Sequence, residues 1–289
     1  MLDKFLLQPP PRSRHRRESS PGERSEPSSV EAPMSLKTVA TLRALAVEYA
    51  PRSYAPYSTN QVACIALFSD GAYVPGVRVE NASFPLLISA TLNALTTGLA
   101  EGRKDFVAFV SSRPITHVER DLIEPFLTNA SVDHDVARTE QPLPAVGEIL
   151  DPVHHFPDLD HRTGVGEARK AAAAAWVPES NFPVGCILGS PERGYVRGVN
   201  VEHPDWNLGL CAERNAVGTA VTFGLDEATR MYISCLKDPT GTPCGACRQV
   251  LVEFESTLEL VMDRAGHPPE ETTPTMLLPY SFDGGALAK

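Results

Sequence analysis

YVRGVNVEHPDWNLGLCAERNAVGTAV, residues Tyr195–Val221, is the stretch whose reading decides the fold. Its first eight residues alternate apolar and polar with period two, the pattern of a half-buried strand. Its last eleven, opening at Cys211, read as a helix. The same stretch occurs earlier in the chain. A shift of 122 positions lays Pro56 on Pro178, Tyr73 on Tyr195 and Glu80 on Glu202, and from Pro56 to Gly102 17 of 47 positions are identical without a gap. Self-similarity at a fixed offset is a duplication. Each copy opens with a helical pattern (Leu36–Tyr49; Gly166–Trp176). Two strand-like stretches follow, VACIALF and YVPGVRVE in the first copy, VGCIL and YVRGVNVE in the second. A helix then starts near Ser89 or Cys211, and a further strand comes next (Phe106–Ser111; Met231–Cys235). Helix–strand alternation of this kind implies an α/β class, with helices covering a sheet.

Outside the repeat the chain is uneven. Residues 1–34 are rich in Pro, Ser, Arg and Glu, with almost no periodic apolar residue after Leu7, and read as a disordered tail. Arg12, Arg14, Arg16 and Arg17 suggest a targeting peptide, but Glu18, Glu23, Glu26 and Glu31 spoil that pattern. The expected division is residues 1–34 as tail, 35–130 as a first domain, 131–162 as linker and domain end, and 163–289 as a second domain. At 289 residues there is chain enough for two cores. No apolar run approaches the ~20 residues of a membrane span, and a net charge of −10 argues against a protein whose main affinity is for nucleic-acid phosphates. The absence of an apolar signal segment points to the reducing cytoplasm, where six cysteines are read as thiols. Cys64, Cys186 and Cys235 sit in apolar, strand-like surroundings and are expected in the core.

The other three cysteines carry chemistry. Cys211 is followed by Ala212, Glu213 and Arg214, and Pro243-Cys244-Gly245-Ala246-Cys247 comes downstream. Three thiolates on Zn²⁺ leave a fourth position open to water, the mark of a catalytic rather than a structural zinc. Cys244 and Cys247 are three apart at a helix start, so both face one side. Helix N-termini favour thiolates. A carboxylate two residues after Cys211 stands where protons must move. The first copy lacks all of this. Ser89 stands for Cys211, Thr91 for Glu213, Arg78 for Asn200 and Asn60 for Phe182, while SSRPITHVERDLIEPF (residues 111–126) has no cysteine. The first copy is therefore expected to bind no zinc and to serve as structure, giving one zinc per chain.

Cys-x-Glu followed by Pro-Cys-x-x-Cys matches the signature of zinc-dependent nucleobase deaminases, and the second copy resembles the cytidine deaminase family. The resemblance implies two tandem three-layer α/β/α domains, each a mixed sheet covered by helices. It also implies hydrolytic deamination of cytidine or deoxycytidine to uridine or deoxyuridine in pyrimidine salvage. Glu213 would carry protons between the attacking water, N3 and the leaving amine. By resemblance, Asn200 and Glu202 hold the ribose hydroxyls, although His203 stands where relatives carry asparagine. Phe182 lies against the base, the N–H of Ala212 meets the pyrimidine carbonyl, and Arg214, joined by Arg248, offsets the charge of the thiolates. LLPYSF resembles the family's ending, whose aromatic closes a neighbouring pocket; it nominates Phe282, and ILDPVHHF at the end of the first copy nominates Phe156. Double-domain relatives carry the zinc site in the first copy, whereas here it falls in the second. Two fused copies would pair as a homodimer, a pseudo-tetramer of domains, whose small-molecule partner is a pyrimidine nucleoside.

Other readings stay open on the residues. Pro-Cys-x-x-Cys also serves redox and structural zinc sites, but redox use leaves Cys211 and Glu213 idle and a structural zinc lacks a fourth ligand. The Cys-Ala-Glu-Arg form and the acidic charge favour a free nucleoside over a polynucleotide. His203 and Trp206 motivate a modified nucleoside or nucleoside antibiotic as substrate, and a zinc-stabilised regulatory protein without turnover is the remaining alternative.

Overall fold

The computed structural model describes residues 31–287 except 128, 157, 158, 226, 283 and 286. The tail assignment for residues 1–30 lies outside the described residues, whereas residues 31–34, also given to the tail, are the first turn of helix α1 (Glu31–Tyr49). The first copy continues with β1 (Ala63–Phe68), β2 (Tyr73–Val77), α2 (Ala90–Ala100), β3 (Phe106–Ser111), α3 (His117–Ile123), β4 (Ser131–Asp133) and β5 (Val136–Arg138). The second consists of α4 (His161–Ala172), β6 (Gly185–Ser190), β7 (Gly194–Val199), α5 (Ala212–Phe223), β8 (Arg230–Cys235), α6 (Gly245–Phe254), β9 (Glu259–Arg264), β10 (Glu270–Thr272) and α7 (Pro274–Leu277). The two sheets run β2-β1-β3-β5-β4 and β10-β9-β8-β6-β7.

Each sheet is buried on both faces. Along β1, Cys64, Ala66 and Phe68 enter one apolar cluster with Ala94, Leu95 and Leu122, while Ile65 and Leu67 enter another with Leu42 and Ala46 of α1. β6 divides likewise: Cys186 and Leu188 pack with Ala216 and Leu251, Ile187 with Val165 and Ala168 of α4. Side chains alternate across a strand, so a strand covered on both faces reads as a continuous apolar run. All of Cys64, Cys186 and Cys235 are buried, as the sequence leads one to expect.

Two expectations differ from the structure. Of the segment 131–162 expected as linker and domain end, residues 131–149 are domain end and not linker. The β4–β5 hairpin completes the first sheet, Leu143 is in the first core, and Ile149 bridges to Tyr73; the second copy's edge is first met at His154, which bridges to Tyr195. Nor is the first sheet mixed. Every ladder in it is antiparallel, whereas β8 and β9 pair in parallel. The cause is the connection after the shared strand. In the second copy helix α6 crosses over and returns the chain in the same direction, while in the first a hairpin reverses it.

The copies meet through α2 and α5 about a local two-fold. Thr97 and Thr219, equivalent under the offset of 122, approach each other with their hydroxyls 2.9 Å apart. Asn93 of α2 donates to the carbonyl of Gly218 (3.0 Å) and to Thr222 Oγ1 (3.0 Å). α2 also touches β7 and α5 touches β2, and Val199 and Val201 of the second copy belong to the first copy's core cluster. Gly198, which the repeat shares with Gly76, sets the height of α5. A Cβ there would lie 2.1 Å from the carbonyl oxygen of Ala212, so only glycine lets the start of α5 settle onto β7.

Candidate active site

Two helix starts converge. Cys211 is the N-cap of α5 and Cys244 the N-cap of α6, with Cys247 at the third helical position. Their sulfurs gather at 3.8 Å (Cys211–Cys244) and 3.5 Å (Cys244–Cys247), and all three lie within 4.8 Å of one another. The first N–H groups of a helix have no partner inside it and carry partial positive charge, so two helix ends favour anionic sulfur at this place. Side-chain contacts with Cys211 and Cys247 hold Cys244 well below the ordinary thiol value, while contacts with Cys211 and Cys244, and then burial, hold Cys247 well above it. Three soft donors gathered at two helix ends are what a zinc ion takes up, and no fourth protein donor joins them among the described residues. The donor set therefore fits Zn²⁺ with one position left open.

Glu213 lies one residue into α5, 5% exposed, and burial pushes its carboxyl up from the usual carboxylate range. A cavity of about 480 Å³ opens beside it, lined by Phe182, Asn200, Cys211, Ala212, Glu213 and Cys244 among others. Asn200 shapes this wall. Its Oδ1 accepts from Val184 N–H (2.7 Å) and its Nδ2 donates to the Phe182 carbonyl (2.9 Å), which fixes the loop carrying the aromatic ring.

Other nominated residues stand elsewhere. Glu202 does not line the cavity. Its carboxylate accepts from the N–H groups of Glu179 (3.0 Å) and Ser180 (3.1 Å) and from the Ser180 hydroxyl. Glu80 does the same in the first copy with Tyr57, Ser58 and the Ser58 hydroxyl, so in both copies this glutamate holds a loop. Phe156 packs with Tyr195 and His154 in the cluster under α4, on the sheet face opposite the thiols. Phe282 is 55% exposed, its backbone pinned by Gln249, and nearby Gly284 lies against Tyr57 and Ala82 of the first copy. Neither aromatic lines the cavity, because the chain segments that carry them end against other parts of the molecule.

The two arginines also differ in use. Arg248 donates to the carbonyls of Pro243 (2.8 Å) and Leu277 (3.1 Å), tying the Cys244 turn to α7. Arg214 reaches across the junction to the carbonyl of Leu86 (2.9 Å), and its Nε is buried without a partner. Its charge draws the Glu213 carboxyl down, against the larger effect of burial. Sequence reasoning missed the far wall, where Asp238, Thr240, Met262 and Asp263 join the cavity. Asp263 is committed to structure, since Arg169 grips it in a fork (2.8 and 2.7 Å) and the Ser234 hydroxyl donates to it (2.7 Å). These residues come from a loop and from β9, and no motif marks them.

In the first copy the three sulfur places are filled by oxygen. Ser89 caps α2, accepting from Leu92 N–H (3.2 Å). Thr116 caps α3 with Glu119 as its capping-box partner, which are the N-cap and third helical positions that Cys244 and Cys247 take in α6. Thr91, in place of Glu213, donates to Glu119 (3.1 Å), and Arg113 pairs with the same carboxylate (2.9 Å). So the segment that shows no cysteine counterpart in sequence has one in space, and hydrogen bonds close it.

Residues 160–262 match the family model of the cytidine and deoxycytidylate deaminase zinc-binding region, and residues 14–112 match a second model of the same description. Cytidine deaminase of Sporosarcina psychrophila is 34% identical over 125 residues, 43% of this chain and 92% of that protein. That of Mycobacterium tuberculosis is 37% identical over 130 residues, 44% of this chain and 92% of the other. The chain belongs to the cytidine deaminase family. Among solved structures, cytidine deaminase of Burkholderia pseudomallei is 33% identical, covers 43% of this chain and all of its own, and gives a TM-score of 0.41. Two family matches in tandem bear out the duplication, and zinc is the metal of the matched region.

Proposed function

We propose that the second copy hydrolyses the amino group from C4 of cytidine or deoxycytidine, giving uridine or deoxyuridine and ammonia. The observation that carries this reading is the meeting of three thiols and one buried carboxyl at the end of a nucleoside-sized cavity. Cys211, Cys244 and Cys247 would hold one zinc per chain, which when bound supplies the Lewis acidity that makes water a nucleophile near neutral pH. Glu213 would take the proton of the attacking water and return it to ring N3. It would then take a second proton from the hydroxyl added at C4 and deliver it to the departing amine as the C4–N bond breaks and the carbonyl forms. A carboxyl raised by burial suits both duties, since it must give back what it takes. Phe182 offers its ring to the base, Ala212 its free helix-terminal N–H to the base carbonyl, and Asn200 keeps Phe182 in place. Arg214 supports the sulfurs by its charge, while Glu202 and Arg248 serve by holding loops. Two chains would associate as a homodimer with four domains.

The test is ammonia release, followed with the ultraviolet change of the base, when zinc-loaded protein meets cytidine and then deoxycytidine. Turnover of either is expected. Zinc bound in a folded protein with neither nucleoside consumed would overturn the reading.

A further inference from the structure

On one flank of the junction between the copies, the space is closed by aromatic rings. Phe126 of the first copy packs on Trp176 of the second, centroids 5.3 Å apart, in a cluster with Leu95, Leu99 and Leu122. The local two-fold gives each of these residues a counterpart on the other flank. Under the offset of 122, Trp176 becomes Tyr54, Leu95 becomes Val217 and Leu99 becomes Val221. Bridges Trp176–Val201 and Tyr54–Val79 stand in equal places and support the pairing. For α3 and α6 the N-caps Thr116 and Cys244 set the alignment, which turns Leu122 into Val250, Pro125 into Glu253 and Phe126 into Phe254.

Every aliphatic or indole member of the closed flank is thus smaller on the other. One indole has become a phenol and three leucines have become valines. The result is a cavity of about 510 Å³, lined by Tyr54, Val217, Val221, Val250, Glu253 and Phe254 together with residues of the first copy's 52–53 and 79–81 segments. It has nothing in common with the lining of the thiol cavity. Interiors are close-packed, and leaving space behind trimmed side chains costs stability. A volume of this size is that of a small-ligand site. Three charged residues line the cavity, Arg52, Glu80 and Glu253. Arg52 is turned to the Thr222 carbonyl and the Tyr49 ring, and Glu80 is held by Arg78 and the 57–58 loop, so the charge offered to a ligand is the Glu253 carboxylate. It accepts from the Tyr57 hydroxyl (2.8 Å) and Ala82 N–H (2.8 Å), while the Tyr54 hydroxyl stands off at 3.4 Å.

We propose that this junction cavity binds a planar aromatic amine or amidinium. Its ring takes the space that Trp176 fills on the closed flank, between valine walls and the rings of Tyr54 and Phe254, where aromatic stacking adds to burial. Its N–H donors face Glu253, for which a charge-assisted hydrogen bond is the strong kind. The site does not depend on the deaminase reading, because no lining residue takes part in that chemistry.

Benzamidine, an aromatic amidinium, titrated into the full chain by calorimetry tests the proposal, with benzoate as the control of equal ring and opposite charge. Saturable benzamidine binding is expected, with none for benzoate. V217L/V221L/V250L, which rebuilds the leucines of the closed flank, should weaken binding about tenfold or more, as should E253Q, which removes charge and keeps shape. Circular dichroism checks that the variants fold, and V221L alone, with the same expected direction, replaces the triple variant if that one does not. Absence of saturable benzamidine binding to the parent protein would overturn the proposal, and so would unchanged binding to the folded leucine variants or benzoate binding as tightly.

Discussion

At the scale of single residues, Glu213 is the position on which the chemistry turns. It is enclosed by the start of α5 and by the thiols, and burial raises its carboxyl, so a side chain that cannot exchange protons removes the reaction but not the metal. Glu213→Gln should lower turnover by about 10²–10⁴-fold with zinc content unchanged, read by ammonia release alongside metal analysis; activity retained would remove Glu213 from its role. Glu119 is its opposite in the first copy. It is buried and accepts from Thr91, Arg113 and Thr116. Glu119→Ala strands those donors, and the expected loss is about 1–3 kcal/mol, read as a lower unfolding midpoint with no change in bound zinc.

Among elements, α1 and the β4–β5 hairpin are joined by charge. Arg43 grips Asp135 in a fork at 2.6 and 2.7 Å, and this contact lowers the Asp135 carboxyl below its usual value. A depressed carboxyl stabilises the fold fully above its unfolded value, about 3.9, and the contribution is lost as pH falls through the lower folded value. Asp135→Asn should therefore be less stable than the parent at neutral pH, and the difference should close under acid; equal gaps at pH 7 and pH 2 would contradict the assignment. The hairpin also explains what was hard to read in sequence. Strands of three residues carry too little period for alternation to show, so residues 131–149 look like linker, whereas six-residue strands such as Phe106–Ser111 are legible to the residue.

For the whole molecule, duplication without copied chemistry sets the expected stoichiometry. Metal analysis should give about one zinc per chain, falling toward none in Cys211→Ser, since a catalytic zinc is held by three protein ligands and the loss of one thiol weakens that set; two per chain would mean that the first copy binds metal after all. The junction should prove as firm as a core. Asn93 is wholly buried and donates across the two-fold, so Asn93→Ala should cost about 1–3 kcal/mol, and denaturant unfolding monitored in both copies should shift together.

The sequence by itself determined the duplication, the α/β class, the three thiols with Glu213, and the first copy's want of cysteine at the matching ligand positions. These follow from identity at a fixed offset, from period-two and helical patterns, and from ligand spacing, all of which are local along the chain. Only the tertiary structure decided that Glu202 repeats the loop-holding duty of Glu80, that Phe156 and Phe282 end away from the cavity, and that Thr116 and Glu119 occupy the places of Cys244 and Cys247. It also decided that the two flanks of one junction are packed unequally. Each of these depends on which distant segments meet, and side chains brought together across more than a hundred residues leave no period or spacing to read.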